Sequence, residues 1–301
     1  MTKSVMVIAG EISGDMHAAR LVRSVRARDP SIQFFGIGGD RLRAEGVETF
    51  RDVRDMAVLG VYEVLKRYAF FKRVFDEMIE LARQRRPDLV LLVDYPGFNL
   101  RFAREARRLG LKVVYYICPQ VWAWNRSRIP KMARLVDRLL VIFPFETEVF
   151  KGTGLRVDFV GHPLVGEARR ALEQPLKSLP WKGGPRVAIL PGSRRQEIER
   201  ILPVMWAAAK KVEQTHPGAS FILAAPSEET AHILRGALPP LSDGPSRYEI
   251  VAGETRQVLR QARAALVASG TATIETALMG CPMLVVYKAA WLTYLAGRML
   301  I

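Results

Sequence analysis

Cysteine is nearly absent: the chain holds two, Cys118 and Cys281, far apart and without His or Cys neighbours at metal-binding spacing. That argues against a disulfide framework or a zinc site and makes both thiols small core residues. No apolar run approaches the roughly 18–20 residues needed to span a bilayer, and the opening MTKSVMVIAGEISGD turns polar too early for a secretory signal, so a cytoplasmic protein is expected. Zinc-finger and aromatic RNA-binding signatures are missing, as are internal repeats and low-complexity tracts, and no nucleic-acid partner is expected. Acidic residues are also scarce, 30 Asp and Glu against 45 Lys and Arg, a formal charge of +15. Such an excess suits a phosphorylated substrate or an anionic membrane surface, with a basic, solubilising surface as the plain alternative. What remains is a globular composition, 49% hydrophobic and 25% charged, over 301 residues, enough for two domains.

The most informative stretch is residues 187–199, VAILPGSRRQEIE, an apolar strand pattern running into a small-residue turn and then a polar helix. Gly192 lets a ligand approach the backbone, Ser193 and the helix start offer donors to an anion, and Arg194 adds a charged fork. Downstream, the apolar run Ala264–Ala268 leads into Ser269-Gly270-Thr271 and a helix carrying Glu275 one turn in. Two phosphate-type turns suit a diphosphate, and a carboxylate beside them suits the hydroxyls of a ribose, so the pair predicts a nucleotide diphosphate site. Taken singly, each is what any strand-turn-helix unit needs.

The chain opens with the same architecture. A strand at Ser4–Ala9 meets Gly10-Glu11-Ile12-Ser13-Gly14-Asp15, with a helix expected from about Met16. This loop lacks GxGxxG spacing and carries two carboxylates, so Glu11 and Asp15 suit sugar hydroxyls or acid/base work better than a diphosphate. Residues 60–86 read as a helix whose apolar stripe includes Phe71, Phe75, Met78, Ile79 and Ala82; Phe70 is expected on the polar side among Lys66, Arg67 and Arg73. That is either a basic amphipathic surface dipping into an anionic interface or an ordinary surface helix. Leu89–Val93, a fully apolar strand, delivers Asp94-Tyr95-Pro96-Gly97, so Asp94 is the first choice for a general base, with a helix cap as its alternative. Trp122 and Trp124 either wall a pocket or pack, and His162 either faces a cleft or caps. Residues 166–185 read as a polar entry to the second half, after which strands and helices alternate. The expected fold is α/β, two Rossmann-like domains facing a cleft, with boundaries at 1–165 and 166–301.

Seven motifs together resemble the lipid-A-disaccharide synthase family: AGEISGD from Ala9, VDYPGFN from Val93, PQVWAW from Pro119, FPFE from Phe143, VGHPL from Val160, LPGSRRQEI from Leu190 and ASGTATIE from Ala268. The resemblance covers nearly the whole chain. It implies a glycosyltransferase of the B-type fold and an inverting transfer from UDP-2,3-diacylglucosamine to the 6-hydroxyl of 2,3-diacylglucosamine 1-phosphate, giving a β-1,6-linked disaccharide and UDP. It also implies Asp94 as base, Glu11 as a second catalytic candidate lining the acceptor side, and Ser13, Gly14, Asp15 and Asn99 as substrate-binding residues. The second domain would hold UDP through Ser193, Arg194, Ser269, Gly270, Thr271 and Glu275. No Asp-x-Asp motif is present, so neither metal nor cofactor is expected. Diacylated substrates give the Phe70 segment and the positive charge a use in peripheral docking on the inner membrane. Family members continue past this chain's last residue with a Pro-Asn-containing motif and terminal helices, so a C-terminally truncated fold is expected, with residues 291–301 lacking their usual neighbours. Another B-type UDP-sugar transferase, a UDP-sugar epimerase and a non-catalytic nucleotide-sugar binding module are the alternatives.

Overall fold

The structure, a computed structural model, describes residues 3–56, 68–124 and 126–288. The chain divides into two compact units, Met1–His162 and Pro163–Ile301. Strands β1 (Ser4–Ala9), β2 (Gln33–Gly38), β3 (Glu48–Asp52), β4 (Leu89–Val93), β5 (Val113–Tyr116), β6 (Arg138–Val141) and β7 (Arg156–Phe159) belong to the first unit. They form one parallel sheet in the order β3-β2-β1-β4-β5-β6-β7. The helices described there are α1 (Ile12–Arg26), α2 (Asp40–Ala44), α3 (Val53–Met56), α4 (Tyr68–Arg85), α5 (Pro96–Arg108), α6 (Val121–Trp124), α7 (Arg128–Leu135) and α8 (Glu146–Val149).

In the second unit β8 (Arg186–Leu190), β9 (Ser220–Ala225), β10 (Tyr248–Ala252), β11 (Ala264–Ala268) and β12 (Met283–Val286) pair in parallel in the order β10-β9-β8-β11-β12. Its helices are α9 (Pro163–Glu173), α10 (Arg195–Thr215), α11 (Glu228–Ala237), α12 (Thr255–Gln261) and α13 (Thr271–Leu278). Each sheet has an apolar cluster on either face, as continuous apolar strands of a doubly covered parallel sheet require.

Both sheets share one topological feature. The first strand of each lies inside the sheet, its successor on one side and a later strand on the other: β2 and β4 flank β1, and β9 and β11 flank β8. Crossovers leaving such a strand in opposite directions open a crevice at its carboxyl end, where open α/β sheets bind their ligands. Glu11 and Asp94 follow β1 and β4, while Ser193 and Ser269 follow β8 and β11.

Five elements differ from expectation. Helix α1 begins at Ile12, so Ser13, Gly14 and Asp15 form its first turn instead of a loop, and α5 begins at Pro96, which takes Asn99 into a helix. Strand β3 is a polar edge strand, ETFRD, without the apolar run that marks the inner strands. Helix α9 replaces the start of what read as a polar entry, burying Leu164, Ala168 and Ala171 as one stripe. On α4 the apolar face is wider than the predicted stripe. Val74 is buried and Leu81 half-buried, and at about 100° per residue Phe70 falls beside them. Phe70 is therefore half-buried on the core, edge-on to Phe71 with ring centres 5.6 Å apart, and is not a lone aromatic on the polar side. Arg73 is exposed, whereas Lys66, Arg67 and residues 291–301 lie outside the described residues.

Candidate active site

At the crevice of the first sheet the backbone is held in an unusual shape. Asp94 and Tyr95 have φ of 48° and 50°, two successive non-glycine residues in the left-handed region. Each costs on the order of 1–2 kcal/mol, so surrounding contacts must hold them there. The Asp94 N–H donates to the Tyr116 carbonyl at 3.0 Å. Its carbonyl oxygen accepts from the Tyr115 hydroxyl at 2.5 Å and from the Asn99 amide at 2.7 Å. The Tyr95 hydroxyl donates to the Met56 carbonyl at 3.1 Å. Its ring closes over Gly10, where an added methyl would stand 2.2 Å from the ring, so this turn needs glycine.

The clamp fixes the backbone and leaves the Asp94 carboxylate for chemistry. Burial, and then the charge of Glu11, push its pKa up to about 6 against a hydrogen bond from the Tyr95 N–H. Glu11, half-buried, is the N-cap residue of α1, and its side chain makes no capping bond. A carboxylate that gains its charge near neutral pH beside a second carboxylate is equipped to accept a proton from a hydroxyl. Asp94 is not the helix cap weighed as its alternative: Tyr95 is the N-cap residue of α5.

Three other residues expected to line this site turn inward. Asp15 is only 3% exposed. Its Oδ1 accepts from the N–H groups of Gly39 at 2.7 Å and Leu42 at 3.2 Å, and its Oδ2 from Arg41 at 3.1 Å, so it caps the start of α2. Asn99 is fully buried, its amide donating to the carbonyls of Asp94, Val93 at 3.2 Å and Ile8 at 3.4 Å, so it ties the ends of β1 and β4 together. Gly14 is buried, and a methyl added there would meet Ala9 at 3.6 Å and the Val93 carbonyl at 3.7 Å. Of the six first-unit candidates, Glu11, Ser13 and Asp94 keep side chains reachable from solvent.

Two neighbouring motifs join through one carboxylate. Glu146, 1% exposed, accepts from the Ile142 and Phe143 N–H groups at 3.2 and 3.0 Å and from the Trp122 indole at 3.3 Å. Trp122 meets Phe145 edge-on at 5.0 Å, and Phe143 lies 5.4 Å from the His162 ring. Burial, Arg20 and His162 push His17 down to about 4, so it is neutral at physiological pH. Below Tyr95 opens a cavity of about 470 Å³ walled by Tyr68, Phe71, Phe75, Tyr95 and Phe98, with Lys72, Asp76 and Arg101 among its lining.

In the second unit, register pairs Leu190 with Val267, so the turns after β8 and β11 are neighbours. Gly192 has φ 115° and Gly270 φ 155°, and Ser193, Arg194, Ser269, Gly270 and Thr271 are all exposed. The starts of α10 and α13 thus bring N–H groups to adjacent strand ends. Two features were missed in the sequence. The Glu197 carboxylate folds back over Gly192 and accepts from the Ser193 N–H at 3.2 Å, just ahead of the N-cap residue Arg194. Glu275 accepts from Arg256 Nε at 2.6 Å, and the other end of that guanidinium bonds Glu167. The Glu197 contact follows helical spacing and was discoverable as a capping pattern; the Arg256 bridge joins three helices and leaves no local signal.

Comparison with known proteins agrees with this architecture. A family model described as lipid-A-disaccharide synthetase matches residues 5–301. The lipid-A-disaccharide synthase of Geobacter sulfurreducens is 43% identical over 302 residues, spanning 99% of this chain and 77% of that protein. That of Syntrophus aciditrophicus is 41% identical over 303 residues, spanning 100% and 79%. Among solved structures, a UDP-GlcNAc 2-epimerase from Neisseria meningitidis bound to UDP-GlcNAc superposes with a TM-score of 0.60 at 11% identity, covering 97% of this chain and 84% of that one. The calicheamicin glycosyltransferase CalG4 gives 0.57 at 16%, covering 95% and 80%. These structural likenesses establish the two-domain fold that glycosyltransferases and epimerases share; the sequence relatives decide between those chemistries, against an epimerase or a mere binding module. The chain belongs to the lipid-A-disaccharide synthase family of glycosyltransferases.

Proposed function

We propose that Asp94 is the general base of an inverting sugar transfer, in which UDP-2,3-diacylglucosamine gives its sugar to the 6-hydroxyl of 2,3-diacylglucosamine 1-phosphate. The observation that carries this reading is the clamped backbone of Asp94, which offers a carboxylate of pKa about 6 beside Glu11 at the crevice of the first sheet. Asp94 takes the proton of the attacking hydroxyl as its oxygen bonds to the donor's anomeric carbon. The bond from that carbon to the diphosphate oxygen breaks on the opposite face, and UDP leaves with the electron pair. Glu11 and Ser13 hold acceptor hydroxyls.

The departing diphosphate needs positive potential, which the starts of α10 and α13 supply through their N–H groups, with Arg194 adding a charged donor. Ser193, Ser269, Gly270 and Thr271 frame that cradle, and Glu275 receives the ribose hydroxyls. The first unit thus serves the acceptor and the second the UDP-sugar. The aromatic cavity below Tyr95 is apolar enough for an acyl chain. Lys66, Arg67 and Arg73, with the net charge of +15, favour peripheral docking on the cytoplasmic face of the inner membrane, without the Phe70 ring, which packs on the core.

The test compares Asp94→Asn with the parent chain in UDP release from both substrates and in calorimetric UDP binding. Turnover is expected to fall by roughly 10²–10⁴, with UDP affinity within about twofold. Parent turnover should rise with pH through about 6 and level off above it, because the base acts only when ionised. Near-normal turnover in Asp94→Asn would sink the assignment.

A further inference from the structure

The second unit contains a charged bridge that the transfer reaction leaves unexplained. Arg256, on α12, donates from Nε to Glu275 Oε1 at 2.6 Å and from Nη2 to Glu167 Oε2. Glu167 lies on α9, the first helix of the unit, and Glu275 one turn into α13, beyond the exposed Ser269-Gly270-Thr271 turn. The three side chains retain 33%, 11% and 23% of their exposure. The neighbours of Arg256 on α12 grip the same stretch of chain. Arg260 donates to the carbonyls of Ala171 at 2.8 Å, Gln174 at 2.9 Å and Leu172 at 3.2 Å, and the Gln257 amide to that of Pro175 at 3.1 Å. Arg256 is thus anchored from behind, and a planar guanidinium held at both ends has little rotational freedom left.

We infer that Arg256 is the positioning residue for ribose recognition, holding the Glu275 carboxylate in the one orientation that receives the vicinal hydroxyls of a nucleoside diphosphate. This rests on the assignment of Glu275 to the ribose. A glutamate on an exposed helix start has several rotamers, and a pair of hydroxyls is matched by only one of them. The guanidinium occupies lone-pair capacity on Oε1 alone and leaves the rest of the carboxylate to accept. A lysine would reach one carboxylate as a point charge and lose the fork that joins two.

The test measures, on the full chain, the affinity for UDP and for 2′,3′-dideoxy-UDP in the parent, Glu275→Gln, Arg256→Gln and Arg256→Lys. The parent is expected to prefer UDP by on the order of tenfold, the worth of hydrogen bonds to a charged group. Arg256→Gln should bind the two nucleotides within about twofold of each other, and Arg256→Lys should keep a preference of a few-fold. In turnover, Arg256→Gln should raise the donor KM about tenfold with kcat little changed. The preference is a ratio within one variant, so a reduced folded fraction cannot imitate its loss, and Arg256→Lys decides the matter if Arg256→Gln does not fold. A full preference retained in Arg256→Gln, or in Arg256→Lys where that alone folds, overturns the inference while Glu275→Gln loses the preference. A parent that does not distinguish the two nucleotides overturns the ribose assignment, and this inference with it.

Discussion

The crevices of the two sheets have the same topology and opposite chemistry. After β1 and β4 the chain is acidic, buried and strained: two successive left-handed residues are clamped by Tyr115, Tyr116 and Asn99, and a carboxylate is deprived of water. After β8 and β11 it is exposed, with two glycines, hydroxyls and Arg194 at the starts of helices, and with the Glu197 carboxylate folded over Gly192. A base must be moved away from its ordinary pKa, which takes burial and a rigid backbone. A diphosphate must be reached by N–H groups, which takes glycine where the ligand meets the backbone. The contrast predicts that changes in the first crevice alter stability and turnover, and changes in the second alter affinity.

The largest stability effect belongs to Asp15→Ala. It removes a buried carboxylate that accepts three N–H groups and leaves those donors at the start of α2 without a partner. A loss of about 3 kcal/mol in urea unfolding is expected, above the usual cost of a cap because the site is buried. A change below about 1 kcal/mol would return Asp15 to the acceptor side. Next is Arg194→Ala in the opposite crevice. UDP affinity should fall roughly tenfold to thirtyfold, since one exposed charged donor is lost, with the urea midpoint unmoved. Equal damage to stability would erase the proposed division between the crevices.

How much of this was legible follows the reach of each interaction. β1, β4, β8 and β11 with their turns could be read directly, because an apolar run ending in small residues is a local signal, and Asp94 and Arg194 became candidates by standing at those ends. The roles of Asp15 and Asn99 were misread for the opposite reason. Asp15 finds its partners 24 to 27 residues away, and Asn99 reaches Ile8 across 91. From sequence a polar residue in a turn looks available; in the fold the Asp15 carboxylate and the Asn99 amide nitrogen are already taken by backbone partners. Phe70 was misplaced because the stripe on α4 was drawn without Val74 and Leu81, a matter of angle and not of chemistry. Arg256 carries no signal until α9, α12 and α13 are brought together.

The smallest effect separates the crevices by pH. Asp94 has a folded pKa of about 6 against an ordinary 3.8, so between those values the folded chain holds a proton that the unfolded chain has released. Stability from this group is therefore full below about pH 4 and is lost as pH rises to 6. A shift of this size corresponds to at most about 3 kcal/mol, and partial contact with water reduces the expectation to about 1 kcal/mol. Asp94→Asn should accordingly be more stable than the parent by about 1 kcal/mol at pH 7.5 and equal to it near pH 4. His17 has the opposite sign. Its folded pKa of about 4 lies below the ordinary 6.5, so its contribution is present above 6.5 and lost as pH falls through that interval. In the parent the two partly cancel between pH 4 and 6; in Asp94→Asn the histidine loss stands alone, and urea midpoints should fall more steeply on acidification than in the parent. Parallel curves for the two proteins would mean that burial does not strain Asp94, and the first crevice would then differ from the second in charge alone.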